Sequence, residues 1–163
     1  MFGGCFTHKL DDVGRVIVPR KFRYLLGEQF VITRGLGCLL VLTAERFQVI
    51  RQKAQGLADP MAVLFNPELG RLYRHLFGEM VETGVDGQGR VMLTPELRAY
   101  AGVDKDVVVV GVGDWIEIWS EDNWKSYKEE NLAPDQLIKA AARSLATVEG
   151  GAADEGVSSS GPA

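Results

Sequence analysis

The sequence predicts a β-rich α+β fold in which two copies of one unit form a pseudo-two-fold domain with flanking helices. The first observation is that the phrase LDDVGRVIVP at residues 10–19 returns as VDGQGRVMLTP at residues 85–95. The second is that each phrase contains a short apolar run suited to a strand, β-branched throughout in the first copy, and ends in a proline suited to the first turn of a helix. The third is that segments of helical periodicity close each copy.

The duplication extends beyond the shared phrase. A shift of 75 positions superimposes identical or similar residues of the two copies: Phe2-Gly3 on Phe77-Gly78, Leu10 on Val85, Asp11 on Asp86, Gly14-Arg15 on Gly89-Arg90, Phe22-Arg23 on Leu97-Arg98 and Gly27 on Gly102. After a slip of one residue the match continues: Gly35 on Gly111, Gly37 on Gly113 and Leu40 on Ile116. We expect a first repeat with its helices over residues 1–75 and a second over residues 76–147.

From the turn onward, a similar order of elements is predicted in both copies. In the first copy, alternation, turn residues and helical spacing predict a strand at 5–10, a turn at 11–14, a strand at 15–18, a helix at 20–26, strands at 29–34 and 38–43, and helices at 44–55 and from 66 onward. In the second they predict a turn at 86–89, a strand at 90–93, a helix at 96–101, strands at 106–112 and 115–119, a helix capped by Ser120 and a helix at 134–147. Residues 148–163 are rich in Gly, Ser and acidic residues, and we expect them to be disordered.

Composition narrows the class of protein. The net charge of −4 argues against non-specific nucleic-acid binding, yet residues 1–34 hold six basic and three acidic residues, a local net charge of +3. Cys5, Cys38, His8 and His75 lack the spacing of a zinc site, so we expect reduced thiols and no metal. No run of about 18 apolar residues and no secretory signal pattern is present, so we expect a cytoplasmic protein without a membrane span.

The repeated phrase contains residues of two kinds. Four of them suit the backbone conformation and hydrogen bonding of a turn and are expected to be structural turn residues: Asp11, Gly14, Asp86 and Gly89. Arg15 and Arg90 stand at strand starts, where each either pairs with a nearby carboxylate or contacts a phosphate or base edge through its planar guanidinium. Spacing alone leaves both interpretations open.

Further basic residues lie close to Arg15 in the sequence. They precede the turn or belong to the short helix after Pro19: Lys9, Arg20, Lys21 and Arg23. Such a local positive surface suits a DNA backbone, and exposed amides at a helix start also favour anions. The second copy keeps Arg90 and Arg98 but has Pro95 and Glu96 where the first has Arg20 and Lys21, so we expect the first copy to bind DNA more strongly.

The motifs of this chain resemble those of the MraZ family of bacterial transcriptional regulators, encoded with cell-division and cell-wall genes. The resemblance covers about residues 1–145 and rests on these segments: Met1-Phe2-x-Gly4, Asp11-Asp12-x-Gly14-Arg15-x-x-x-Pro19, Lys21-Phe22-Arg23, Thr33-Arg34-Gly35-Leu36, Asp86-x-x-Gly89-Arg90, and Gly111-Val112-Gly113 followed by Ile116-Glu117-Ile118-Trp119. Two DxxGR phrases at this spacing are a more specific signal than either phrase alone.

The resemblance implies two tandem swapped-hairpin units of the AbrB and MazE type, in which each half lends strands to the other. It also implies a ring-shaped homo-oligomer, associated with the nucleoid, that binds tandem short repeats of double-stranded DNA in the promoter of its own gene. The expected role is regulation, usually repression, of that promoter and of the downstream division and cell-wall genes. By position, Arg15 and the neighbouring basic residues would contact the DNA.

Two other classes of function are compatible with such a chain to a lesser degree. An antitoxin-like or scaffold module of the same fold would use its apolar helices to bind a protein partner. An enzyme is disfavoured, because no P-loop, GxGxxG, GxSxG or HExxH motif is present and neither histidine has a nucleophile at an interpretable spacing. We therefore expect no catalytic residues, no cofactor and no small-molecule ligand.

Overall fold

The strands form two antiparallel sheets in the structure, a computed structural model that describes residues 1–57 and 59–152. In chain order they are β1 (Phe2–Lys9), β2 (Arg15–Ile17), β3 (Phe30–Arg34), β4 (Leu39–Thr43), β5 (Val81–Thr83), β6 (Arg90–Met92), β7 (Asp106–Gly113) and β8 (Ile116–Ser120). The larger sheet has the order β1-β7-β8-β4-β3-β5, and β2 pairs with β6 in a separate two-stranded ribbon. Together with the helices, these antiparallel sheets confirm the predicted β-rich α+β class.

Seven helices complete the described residues. They are α1 (Arg20–Leu26), α2 (Ala44–Leu57), α3 (Pro60–Phe65), α4 (Pro67–Phe77), α5 (Pro95–Ala101), α6 (Glu121–Asn131) and α7 (Pro134–Ala152). Ser120 caps α6 as expected, its Oγ accepting the N–H of Asn123 at 3.1 Å. Helix α3 was not predicted, since six residues are too few for a periodic pattern; Asp59 caps it by accepting the N–H of Met61 at 2.8 Å. No helix in these two described ranges has the length and apolar character needed to cross a bilayer.

The chain divides into two compact units, Met1–Trp124 and the residues from Lys125 onward. The first unit contains both sheets and the main core, and the second contains most of α6 and all of α7. Helix α7 extends past the predicted end at Thr147 to Ala152, and the rest of the expected disordered tail, 153–163, lies outside the described residues.

Within the first unit, the copies exchange strands. β1 of the first copy pairs with β7 of the second, with Phe6 opposite Val109. β5 of the second copy pairs with β3 of the first, with Val81 opposite Ile32. Each copy therefore completes the sheet of the other, and a pseudo-two-fold axis passes through the middle of the large sheet and through the centre of the ribbon.

The strand register corrects the alignment of the two copies. In the ribbon Val16 pairs with Val91, a shift of 75 positions. In the large sheet, β4 and β8 pair symmetrically around Leu40 and Glu117, so Leu39 corresponds to Ile116, a shift of 77 positions rather than the predicted 76. The sequence match was misled by glycine, because Gly111 lies inside β7 whereas its apparent partner Gly35 lies in the loop after β3.

The main hydrophobic core is built from equivalent side chains of both copies. Phe22 of α1 and Leu97 of α5 are fully buried, and Val16 and Val91 of the ribbon point into the same cluster. Burying a side chain of this size stabilises the fold by roughly 1.5–3 kcal/mol. The core therefore fixes the position of the ribbon, whose inner face belongs to it.

Truncating Leu97 tests this shared core. We expect Leu97→Ala to lower the free energy of unfolding by about 2–5 kcal/mol, because it leaves a cavity where both copies meet. The exposed Leu36 provides the control, and Leu36→Ala should change the free energy by less than about 0.5 kcal/mol. Urea denaturation followed by circular dichroism measures both; a loss below about 1 kcal/mol in Leu97→Ala would contradict the assignment.

Candidate nucleic-acid interface

The two DxxGR phrases form the same hydrogen-bonded turn. Asp11 Oδ1 accepts the backbone N–H groups of Val13 at 3.1 Å and of Arg15 at 2.8 Å. Asp86 Oδ1 accepts those of Gln88 and Arg90, both at 2.9 Å. Each aspartate side chain thus closes the turn that delivers the chain into the following ribbon strand.

The arginines of the two phrases form ion pairs, one of the two interpretations that their spacing left open. Arg15 Nε donates to Asp11 Oδ2 at 2.6 Å, and Arg90 Nε donates to Asp86 Oδ2 at 2.9 Å. Arg90 Nη1 also lies 3.7 Å from Asp11 Oδ2, so Arg90 faces two carboxylates. Among the described residues, no acceptor takes a hydrogen bond from the terminal nitrogens of Arg15. The Arg15 side chain is 33% exposed, and that of Arg90 is 23% exposed. An ion pair through Nε and an outward contact through the terminal nitrogens are therefore compatible.

The turns also shift the acidity of their carboxyl groups. The backbone N–H of Arg15 is the main cause that holds the pKa of Asp11 below its ordinary value of 3.8, with the Arg15 side chain acting in the same direction. The backbone N–H of Arg90 lowers the pKa of Asp86 in the same way. Because hydrogen bonds to the ionised form favour it, both turns are held by carboxylates at neutral pH.

The outward face of the ribbon carries four side chains. Arg15 lies opposite Met92 and Ile17 lies opposite Arg90, with the inward-pointing pair Val16 and Val91 between them. Two further hydrogen bonds close the ribbon at its ends, from the N–H of Val18 to the carbonyl of Gly89 at 3.0 Å and from the N–H of Leu93 to the carbonyl of Gly14 at 2.9 Å. The two arginines are thus held at equivalent places on one exposed surface, which we call the ribbon face (Arg15, Ile17, Arg90 and Met92).

Arg23 lies elsewhere, against the turn of the other copy. Its guanidinium occupies the space beside Gly89, so that a Cβ at Gly89 would overlap it. The equivalent Arg98 lies beside Gly14, where a Cβ would come within 3.0 Å of its guanidinium. Both arginine Nε atoms are buried without a hydrogen-bond partner among the described residues. This position indicates a packing role for Arg23, which the basic cluster in the sequence did not distinguish from its neighbours.

The other basic residues predicted to contact DNA differ in the contacts that they make within the chain. Lys9 Nζ donates to Asp106 Oδ1 at 2.5 Å, and the two residues lie directly opposite each other in the β1–β7 register. Lys21 donates to the carbonyl of Gly3, and its ammonium lies 4.9 Å from the centroid of the Phe6 ring. Arg20 is exposed, and no described carboxylate forms a salt bridge with it.

Sequence reasoning overlooked part of this arrangement. Ile17 and Met92 belong to the ribbon face, yet the sequence singled out neither of them. Arg98 belongs to the turn packing, whereas the sequence marked it only as a basic residue that the second copy retains. The available signal was the two-residue spacing along each strand, which puts Ile17 on the same face as Arg15 and Met92 on the same face as Arg90.

The soft-ligand residues form no comparable site. Burial raises the pKa of the Cys38 thiol to about 12, so it stays protonated. His75 Nε2 lies 2.7 Å from the carbonyl oxygen of Gly35, a contact that ties α4 to the loop after β3. In the part of the chain that the structure describes, no group of three or more His, Cys, Asp or Glu side chains is arranged to hold a metal ion.

Comparison with known proteins yields a consistent set of relatives. The family model described as "MraZ protein, putative antitoxin-like" matches residues 1–65 and 76–147. The chain is 39% identical to "Transcriptional regulator MraZ" of Thermomicrobium roseum over 91% of this chain and 99% of the relative. It is 42% identical to the protein of the same name from Lachnoclostridium phytofermentans, over 81% of this chain and 90% of the relative. It is 40% identical to the protein of the same name from Caldicellulosiruptor bescii, over 85% of this chain and 95% of the relative.

Adding a methyl group at Gly89 tests the packing of the turns. Gly89 has a φ of 76°, which other residues adopt at a cost, and a Cβ there would displace the Arg23 guanidinium. We expect Gly89→Ala to lower the free energy of unfolding by at least about 1 kcal/mol. Gly87→Ala is the matched control in the same turn, because a Cβ at Gly87 meets no atom within 4 Å. Equal effects of the two substitutions in urea denaturation would contradict the packing role.

The lowered pKa of Asp86 predicts a pH-dependent contribution to stability. A carboxyl group whose pKa is lower in the folded state stabilises the fold above its ordinary pKa of 3.8 and loses that contribution as pH falls through the folded value. Asp86→Asn should therefore be less stable than the parent near pH 7, with a difference that shrinks below about pH 3.8. Thermal unfolding across pH 2.5–7 measures it. Asp12→Asn, which changes an exposed residue of the other turn, is the matched control for the loss of one carboxylate.

Proposed function

This chain belongs to the MraZ family, and we propose that it is a sequence-specific DNA-binding transcriptional regulator that contacts DNA through the ribbon face. The family comprises regulators rather than enzymes, which confirms the expectation that the chain is not an enzyme. The relatives' shared name, "Transcriptional regulator MraZ", supports the regulatory role. The observation that carries the proposal is the pair Arg15 and Arg90, held at equivalent places on one exposed two-stranded ribbon.

The dimensions of the ribbon suit the major groove. B-DNA admits a two-stranded antiparallel ribbon there, and the groove presents a distinct pattern of donors and acceptors for each base pair. Each ribbon strand has three residues, a length of roughly 10 Å, which corresponds to about three base-pair steps. A single chain would therefore read only a short sequence, in keeping with an operator of short repeats.

Arg15 is the residue proposed to read a base. Its Nε is held by Asp11, which limits the freedom of the side chain before DNA arrives and directs the terminal nitrogens away from the turn. An arginine fork can donate two hydrogen bonds to guanine O6 and N7. Arg90 would act in the same way, but its guanidinium also faces Asp11, so its attraction to DNA is partly offset.

The other basic residues have graded roles in the proposal. Arg20 is free to contact a phosphate at the start of α1. Lys9 and Lys21 would contribute positive charge while keeping their contacts with Asp106 and Gly3. Arg23 supports the turn of the second copy rather than touching DNA. The second copy has Pro95 and Glu96 in place of Arg20 and Lys21, so the first copy would supply most of the phosphate contact.

Assembly and location complete the proposal. The strand exchange between the repeats at 1–75 and 76–147 supports a fold of the swapped-hairpin type. Helices α3 and α4 expose apolar side chains, namely Met61, Leu64, Phe65 and Leu72, which supports self-association into a ring. A ring on tandem repeats would raise the effective concentration of each weak ribbon contact. The protein would act in the cytoplasm, on nucleoid DNA, and repress its own promoter and the downstream division and cell-wall genes.

The same apolar helix surface favours one alternative. An antitoxin-like or scaffold module would use Met61, Leu64 and Phe65 to bind a different protein, and the family description includes the word "antitoxin-like". Co-purification of a stoichiometric protein partner, together with no preference for promoter DNA, would favour that module over the regulator.

Substituting Arg15 tests the regulator. In fluorescence anisotropy, the parent protein should prefer DNA from upstream of its own gene to an unrelated fragment. Arg15→Ala should weaken binding to the upstream DNA by a factor of roughly 5 to 150, which corresponds to about 1–3 kcal/mol, with a smaller loss for Arg90→Ala. Arg20→Ala should weaken binding to all sequences and reduce the dependence of log affinity on log salt by about one.

The matched control for these substitutions is Arg51→Ala, at an exposed position of α2 away from the ribbon, and it should bind like the parent. Circular dichroism establishes that each variant is folded. Equal binding of upstream and unrelated DNA by the folded parent would overturn the proposal. Equal losses of DNA affinity in Arg15→Ala and Arg51→Ala would show that the ribbon face is not the DNA-binding surface.

A further inference from the structure

The ribbon face exposes two large apolar side chains beside its two arginines. Ile17 and Met92 are each 46% exposed, whereas the neighbouring Val16 and Val91 are buried in the core. Because side chains alternate along a strand, Ile17 and Met92 contribute to the outer surface and not to the core beneath it. Neither residue is therefore needed to fill the interior.

The register brings these four side chains into one block. Met92 lies directly opposite Arg15, and Ile17 lies directly opposite Arg90. Side chains opposite each other on one face of an antiparallel pair have Cβ atoms roughly 4.5–5.5 Å apart. Each arginine of the ribbon face thus has an apolar neighbour across the ribbon, and the two pairs are related by the pseudo-two-fold axis.

The apolar position on the ribbon face is apolar in both copies, although other surface positions differ between the copies. Ile17 and Met92 are equivalent residues, different in identity but both large and apolar. By contrast, the exposed Arg20 and Lys21 correspond to Pro95 and Glu96. A single exposed apolar residue needs no explanation, but an equivalent pair at the centre of a charged binding face does.

We propose that Ile17 and Met92 recognise the C5-methyl groups of thymine, so that the ribbon face reads thymine next to the bases contacted by Arg15 and Arg90. This inference rests on the proposed function, since it assigns sequence specificity to the same DNA contact. Thymine is the base that presents a methyl group in the major groove, and apolar side chains are suited to contact it. The contact removes apolar surface of both partners from water, which is favourable.

Replacing thymine by uracil isolates this contact. Uracil lacks only the C5-methyl group and keeps the hydrogen-bonding groups of thymine. The upstream fragment is prepared with deoxyuridine in place of thymidine, and its affinity for the parent protein is compared with that of the unmodified fragment by fluorescence anisotropy. Loss of one buried methyl should weaken binding about fourfold, and loss of two about fifteenfold.

A double-mutant cycle links the loss to the two side chains. In the double variant Ile17→Ser with Met92→Ser, uracil and thymine DNA should bind equally, because the side chains that detect the methyl groups are gone. Leu36→Ser, at a residue 88% exposed in the loop after β3, is the matched control and should keep the full uracil penalty. Thermal unfolding establishes that all variants are folded, and an unrelated fragment with and without uracil measures any general effect of the substitution.

The outcomes separate this inference from the proposed function. Preference for the upstream fragment with no uracil penalty, or a penalty that persists unchanged in the double variant, would overturn the thymine assignment and leave the regulator intact. Equal binding of the upstream and unrelated thymine fragments would overturn both. A uracil penalty confined to the upstream fragment and abolished only in the double variant would establish the assignment.

Discussion

The antiparallel pairing of strands across the two copies is the constraint on which the rest of the first unit depends. β1 is completed by β7 and β5 by β3, and the pairing of β4 with β8 joins the two halves into one sheet. A copy without its partner would leave β2 with unpaired N–H and C=O groups and would expose Val16. The ribbon, and with it the candidate DNA contact, therefore exists only because the copies are interlocked.

The repeated turn connects this architecture to its chemistry. One carboxylate accepts two backbone N–H groups and an arginine Nε, so the same side chain shapes the turn and orients the guanidinium. Charge-assisted hydrogen bonds of this kind are stronger and more directional than neutral ones. Glycine is required beside them because the arginine of the opposite copy packs against the turn, as Arg23 does at Gly89. The conformation of the turn and the direction of the Arg15 side chain are consequently set by the same few atoms.

Duplication has preserved the interior and varied the surface. Val16 and Val91 occupy equivalent core positions, while the basic start of α1 has no counterpart in α5. Since the pseudo-two-fold axis places equivalent positions on one face, a difference in charge between the copies becomes a difference between the two ends of the ribbon. This arrangement lets a chain with a net charge of −4 carry a local excess of positive charge in its first copy. In the proposed function, that excess would give a nearly symmetric ribbon a preferred end for phosphate.

The sequence by itself determined the elements whose signals are local. The bounds of α1 at Arg20 and Leu26 agree with the prediction, because proline and glycine mark the ends of a helix within a few residues. Local signals did not reveal α3, which is too short to show a period, and did not separate a glycine in a strand from one in a loop, so the copies were aligned one residue off. Only the tertiary structure distinguished Arg15 from Arg23. Both lie in one basic cluster of the sequence, but one is held at the surface by its own turn and the other is packed against a turn more than sixty residues away. Contacts of that range depend on how the two copies interlock, and no pattern within either copy contains that information.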